Sequence, residues 1–192
     1  MNIKGSVNDN TRTEIEDTLL LPWDELQLRQ PEIYGSDKSV ISSLVNVFIS
    51  YSPEDQDLQE ELDLHLAHLK RQGKIQAWHR GKVEAGAEWD AAIKNQLETA
   101  QIILLLISSH FIASDYCYDQ QLQRALQRHN EGTARVIPII LKPTDWQNSA
   151  FSHLSELSTD GRAITLWENR DEAFVNVVAG IRDTIDRGFS GY

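Results

Sequence analysis

The chain has 192 residues, which suits one domain of about 150 residues with an extension. Its formal net charge of -11 at pH 7 argues against general binding to nucleic acid or to an anionic membrane surface, since both depend on clustered Lys and Arg. Hydrophobic residues make up 41% of the sequence and no apolar run approaches the roughly 20 residues of a membrane span, so we expect a soluble protein.

Residues 1–44 differ from the rest of the chain and are predicted to form an N-terminal extension. Pro22 and Pro31 punctuate a short helix predicted around Trp23 to Gln30. The first residues contain no apolar segment of the kind found in secretory signals, and the chain has one cysteine, so we expect a cytoplasmic location. The extension either packs on the domain, which we prefer, or binds a partner.

From residue 45 onward apolar strands alternate with amphipathic helices, which predicts an α/β domain over residues 45–187 with a short tail at 188–192. The apolar run QIILLLIS is typical of a central parallel strand that is buried on both faces. The predicted strands are 45–50, 74–78, 101–108, 135–141 and 163–167, and the predicted helices are 54–71, a segment with Trp89, Ile93 and Leu97, 118–129 and 171–186.

Two loops lie where such a sheet binds ligands, which is outside the carboxyl ends of its strands. Tyr51 and Ser52 follow the first strand, and Arg80 and Lys82 follow the second. A ligand-binding role and a purely structural role are equally compatible with these positions. For Trp89, at the end of the second loop, core packing is the preferred role.

The sequence lacks the motifs of several common enzyme and nucleotide-binding families. It has no GxSxG, GxGxxG or GxxxxGK[ST] motif, so a serine hydrolase, a Rossmann dehydrogenase and a P-loop protein are set aside. The histidines are scattered and no metal site is predicted. Cys117 has no activating histidine nearby in sequence and is predicted to be a small buried residue.

Seven segments in order together resemble the Toll/interleukin-1 receptor (TIR) domain, in the form common in bacterial proteins. They are VFISYS, the aspartate-containing loop after it, WHRGKVEAGAEW, IILLLIS, SDYCYD, RVIPIIL and NRDEAF. The resemblance covers the chain from about Asn46 to Asp186. It implies a flavodoxin-like five-stranded parallel sheet in the order 2-1-3-4-5 with helices on both faces. It also identifies WHRGKVEAGAEW as the BB loop.

The resemblance implies one of two functions, and both require self-assembly. Some TIR domains are catalytically silent adaptors that assemble with other TIR proteins through the BB loop. Others cleave NAD+ at the nicotinamide glycosidic bond, with NAD+ as substrate and no separate cofactor. Either kind would act in signalling or defence. The expected partners are other TIR domains, and an upstream sensor protein is a further candidate partner.

The enzymatic members carry a glutamate on the helix after the third strand, where a carboxylate stabilises the oxocarbenium character of the breaking bond. Here the corresponding stretch reads YCYDQQL and contains no glutamate. Alignment on the following apolar residue places Gln121 at the catalytic position, which we prefer, whereas alignment on the aromatic Tyr116 places Gln120 there. Glutamine keeps the size and hydrogen bonding of glutamate but loses its charge.

Three explanations of this glutamine stay open: a natural pseudoenzyme, a deliberate isosteric substitution made to trap substrate, and rescue by Asp119, which is the least favoured. The resemblance further implies that Tyr116 and Tyr51 lie near the base or ribose. In the BB loop, Arg80 and Gly81 stand where bacterial relatives usually have an acidic and then a basic residue. Arg80 and Lys82 are therefore predicted to meet the pyrophosphate, or else to be solvated loop charges.

Overall fold

The computed structural model describes residues 44–83, 88–154 and 161–188. Nearly all of the predicted N-terminal extension and C-terminal tail, including the predicted helix around Trp23, lies outside the described residues. Among the helices that are described, none has the length and apolar character needed to cross a membrane.

The described residues form a parallel sheet of four strands in the order β2-β1-β3-β4. This order, with β1 and β3 at the centre, is the order predicted for the first four strands. The strands are β1 at Val45–Ser50, β2 at Ile75–His79, β3 at Ile102–Ile107 and β4 at Arg135–Ile140.

Helices connect the strands and cover both faces of the sheet, as predicted. The α-helices are α1 at Gln56–His65, α2 at Ala67–Arg71, α3 at Trp89–Thr99, α4 at Ser109–Ala113, α5 at Gln123–Asn130 and α6 at Arg170–Asp186. Short 3₁₀ turns occupy Pro53–Asp55, Arg80–Lys82 and Ile164–Leu166, and a π-helical turn at Tyr116–Leu122 leads directly into α5.

The core has two halves, one on each face of the sheet. Every residue of β3 is buried, which agrees with its continuous apolar sequence. Successive β3 side chains point to opposite faces, so Ile102, Leu104 and Leu106 join the cluster that includes α1 and α6. The intervening residues of β3 join the cluster that includes α3, α4 and α5. This burial fixes the sheet, and with it the edge where the strands end.

The predicted fifth strand at 163–167 is wrong. Within the described residues this segment forms the 3₁₀ turn Ile164–Leu166, whose neighbours satisfy their own backbone groups, with Leu166 N bonding Ala163 O at 3.0 Å. One backbone bond, from Thr165 N to Leu141 O at 3.0 Å, lies beyond the end of β4. Leu166 is 54% exposed, so the segment has too few buried apolar positions to extend the sheet.

Candidate functional site

A buried ionic network joins three loops at the carboxyl edge of the sheet. Asp55, which follows β1, accepts hydrogen bonds from the Ser108 hydroxyl after β3 and from Lys142 Nζ after β4, the latter at 2.5 Å. Ser108 Oγ also accepts from Phe111 N at 3.1 Å and so caps α4. The network holds the ends of β1, β3 and β4 in one arrangement.

The π-helical turn Tyr116–Leu122 brings Gln121 to the same edge. Gln121 is 6% exposed and its Oε1 accepts a hydrogen bond of 2.5 Å from Ser50 Oγ at the end of β1. Gln120, by contrast, is exposed. A π turn holds one residue more than an α turn, and such turns are frequent at functional sites. The turn therefore directs Gln121, and not Gln120, onto the strand ends.

Gln121 lines a groove of about 540 Å³, which we call the glutamine groove. Tyr116 lies in the same groove, and the side chains of Gln121 and Asp90 both influence the pKa of its hydroxyl. Burial raises the pKa of Tyr116, so its hydroxyl stays protonated at neutral pH. The groove is lined by Asp90, Ile93, Lys94, Leu97, Glu98, Tyr116, Gln120, Gln121, Arg124 and Gln127.

A second groove of about 540 Å³, the serine groove, is also lined by Tyr116. The Trp89 ring packs on Tyr116 with centroids 4.9 Å apart, and Arg80 Cζ lies 4.8 Å from the centroid of Trp89. Ser52 donates to the Glu54 carboxylate and thereby holds the pKa of Glu54 below its ordinary range. The groove is lined by Ser52, Pro53, Glu54, Arg80, Trp89, His110, Ala113, Ser114 and Tyr116.

The structure separates the residues singled out from the sequence. Gln120, Gln121 and Tyr116 share the glutamine groove, and Ser52, Arg80 and Trp89 share the serine groove with Tyr116. Trp89 is half-buried and packs against the core, as preferred from the sequence. The roles of these residues in binding stay predictions.

Two of the singled-out residues line neither groove. Tyr51 is buried beside His79 with ring centroids 6.1 Å apart, and its carbonyl accepts from Cys117 Sγ at 3.5 Å. Lys82 turns back on β2 and donates to Ala77 O at 2.6 Å. The prediction that Cys117 is buried is confirmed, and burial raises the pKa of its thiol, which disfavours the nucleophilic thiolate.

Sequence reasoning did not predict the bond between Ser50 and Gln121, and it did not single out Asp90. Ser50 belongs to the recognised segment VFISYS, but its bond to Gln121 joins residues 71 positions apart and has no local signal. Asp90 follows Trp89 in the first turn of α3, where an acidic residue is ordinarily explained by the helix dipole alone.

His79 makes the loop after β2 sensitive to pH. Its Nδ1 accepts from Gly81 N at 3.3 Å, which requires the neutral ring. Burial lowers the pKa of His79 below its ordinary value of 6.5, and Lys82 lowers it further. Because the unfolded chain takes up this proton more readily, this share of the stability is complete above pH 6.5 and is lost as the pH falls through the lowered pKa.

We expect the imidazole proton resonance of His79 to titrate with a midpoint below 6.5, and the Gly81 amide resonance to shift in the same range. NMR spectra recorded from roughly pH 4.5 to pH 8.5, about two pH units on either side of the ordinary histidine pKa, measure both shifts. A His79→Asn variant assigns the resonance, which matters because burial also lowers the pKa of His129. A midpoint at or above the ordinary value contradicts the prediction.

A family model described as TIR domain matches residues 47–177, which include all of β3 and β4 and the turn that carries Gln121. The chain belongs to the TIR domain family. The match confirms the family that the sequence resemblance indicates.

Two known proteins are similar to this TIR domain. The uncharacterized protein y4lF of Sinorhizobium fredii is 46% identical over 142 residues, which are 74% of this chain and 44% of that protein. This bacterial relative is consistent with the bacterial form of the family, and the chain spans less than half of its length. The crystal structure of the TIR domain of the Toll-related receptor TRR-2 from Hydra magnipapillata matches with a TM-score of 0.53 and 22% identity, over 74% of this chain and 98% of that one. At that identity the match shows the fold alone.

Proposed function

We propose that this protein is a TIR domain of the NAD+-hydrolase type, in which Gln121 occupies the place of the usual catalytic glutamate. NAD+ is its substrate and enters the glutamine groove with the nicotinamide ribose beside Tyr116 and Gln121. The observation that carries the proposal is the placement of Gln121, which is nearly buried, bonded to Ser50 and adjacent to the Tyr116 hydroxyl at the edge where the strands end. A groove of about 540 Å³ suits a ligand of this size.

The residues of the groove have different roles in the proposed reaction. The Tyr116 ring offers a face on which the nicotinamide base can stack, and its hydroxyl lies near Gln121 and Asp90. Gln121 can hydrogen-bond a ribose hydroxyl, but its neutral amide adds no charge to stabilise the cationic ribose. Turnover by the natural chain is therefore slow. We further propose a cytoplasmic role in signalling or defence, after self-assembly through the BB loop.

The neutral amide of Gln121 also favours a second candidate function. A TIR domain that cannot stabilise the cationic ribose could serve as a silent adaptor, which recruits other TIR proteins through the BB loop and the start of α3. An adaptor needs no NAD+ in the glutamine groove. NAD+ binding therefore separates the two functions, independently of any turnover.

We expect the purified chain to bind NAD+, and a Tyr116→Ala change to weaken binding by about tenfold, because stacking of a base on an aromatic ring contributes on the order of 1–3 kcal/mol. Isothermal titration calorimetry at high protein concentration measures the affinity. Tyr118→Ala is the control, since Tyr118 lies in the same π-helical turn but lines neither groove. Absence of binding, or equal loss in both variants, favours the adaptor.

A further inference from the structure

The glutamine groove already contains carboxylates, although Gln121 is not one of them. Asp90 and Glu98, both on α3, line the groove. Glu98 is held by Arg124 through two hydrogen bonds of 2.6 Å, so the charge of Glu98 is compensated. In the described part of the chain no Lys or Arg lies within ion-pair distance of Asp90. Asp90 is therefore the groove's uncompensated carboxylate among these residues.

Asp90 and Gln121 both lie near Tyr116 in the glutamine groove. All three residues line that groove, and the side chains of Asp90 and Gln121 both influence the pKa of the Tyr116 hydroxyl. Trp89, the residue before Asp90, packs on the ring of the same tyrosine at 4.9 Å. Asp90 thus approaches from α3 the point that Gln121 approaches from the π-helical turn. A ribose beside Tyr116 would lie within reach of both.

Asp119, the carboxylate considered from the sequence, does not share this position. Both carboxylates, Asp90 and Asp119, are exposed, but Asp119 lines neither groove, although it lies only two residues from Gln121. Lys94 lies one helical turn after Asp90 and also lines the groove. Among the described residues, the Lys94 ammonium forms no ion pair with the Asp90 carboxylate. Water screens exposed charges at this spacing, so Lys94 does not cancel the charge of Asp90.

We propose that Asp90 is a catalytic residue that supplies the carboxylate which Gln121 lacks. The inference rests on the proposed function. In this reaction the bond between ribose C1′ and the nicotinamide nitrogen breaks, and its electron pair leaves with neutral nicotinamide. The Asp90 carboxylate stabilises the resulting oxocarbenium ion and accepts a proton from the attacking water, whose oxygen bonds C1′. NAD+ and water yield nicotinamide, ADP-ribose and a proton.

The test measures nicotinamide release at high protein concentration from the natural chain and from Asp90→Asn, which keeps the shape of the side chain. We expect slow release by the natural chain and a loss of about a hundredfold or more in kcat for Asp90→Asn, with little change in KM. Asp119→Asn is the matched control and is expected to keep the natural rate. Asp90→Glu, which keeps a carboxylate, is expected to retain release.

A Gln121→Glu variant and its combination with Asp90→Asn separate this inference from the proposed function. With a glutamate at 121 the Asp90 carboxylate becomes redundant, so we expect the combined variant to match Gln121→Glu alone. Release by Gln121→Glu with none from the natural chain overturns the role of Asp90 and leaves the proposed function standing. Equal release by the natural chain and Asp90→Asn also overturns it. Release by none of these proteins overturns both proposals.

Discussion

A Gln121→Glu variant is expected to release nicotinamide from NAD+ about a hundredfold or more faster than the natural chain. The side chain at 121 is 6% exposed, and a charge in such a site acts strongly because little water screens it. The Ser50 hydroxyl, which now donates to Gln121 Oε1 at 2.5 Å, can donate equally to a carboxylate oxygen, so the change preserves the local packing. Chromatography of nicotinamide over a range of protein concentrations measures the rate and its dependence on assembly.

Gln120→Glu is the matched control for this gain of activity. Gln120 is adjacent in sequence and lines the same groove, but it is exposed and makes no bond to the end of β1. We expect this variant to stay close to the natural rate. Activation by Gln120→Glu alone would show that alignment on Tyr116 identifies the catalytic position. Inactivity of both variants under assembling conditions would favour the adaptor.

The two alignments of the catalytic stretch disagree by one residue, and the structure explains why. An α-helix returns to the same face after about four residues, so Tyr116 predicts Gln120, whereas the following Leu122 predicts Gln121. The π-helical turn Tyr116–Leu122 absorbs one extra residue and satisfies both anchors. No local propensity predicts such a turn. It is held by long-range contacts, from Gln121 to Ser50 and from Cys117 to Tyr51.

The sheet shows the same division between local and long-range information. β3 was predictable, because six consecutive apolar residues are buried on both faces. The segment 163–167 has a similar apolar content, but only Ala163 and Ile164 of its residues are fully buried. Hydrogen bonds within the turn replace those that would extend the sheet.

In the candidate site, the sequence places residues at the correct edge but does not determine where each side chain points. Arg80 and Lys82 are two positions apart in one 3₁₀ turn. Arg80 lies over Trp89 at the serine groove, whereas Lys82 bonds the backbone of β2. The orientation of each side chain depends on a ring or a hydrogen-bond acceptor that another element supplies. The same holds for Asp90, which lies far from Gln121 in sequence but lines the same groove.

A Lys142→Met variant is expected to lower the free energy of unfolding by about 3 kcal/mol, because removing one partner leaves the other charge buried and unpaired. The Asp55 side chain is fully buried, and the Ser108 hydroxyl alone would then meet its carboxylate. We take the low end of the range for a broken buried pair because the Lys142 side chain is 34% exposed. Urea unfolding at pH 7, followed by circular dichroism, measures the change.

Lys74→Met provides the matched control for this loss. Lys74 pairs with Asp186 at 2.9 Å at the surface, where such a pair contributes only about 0–1 kcal/mol. Adding Asp55→Asn to Lys142→Met removes the stranded charge and is expected to recover part of the lost stability. If Lys142→Met costs no more than Lys74→Met, the Asp55 network does not hold the strand ends. If it costs more, we also expect the Gln121→Glu/Lys142→Met double variant to release nicotinamide more slowly than Gln121→Glu alone. Asp55 connects the end of β1, which carries Ser50, to Ser108 after β3. The chain after Ser108 leads into the turn that carries residue 121.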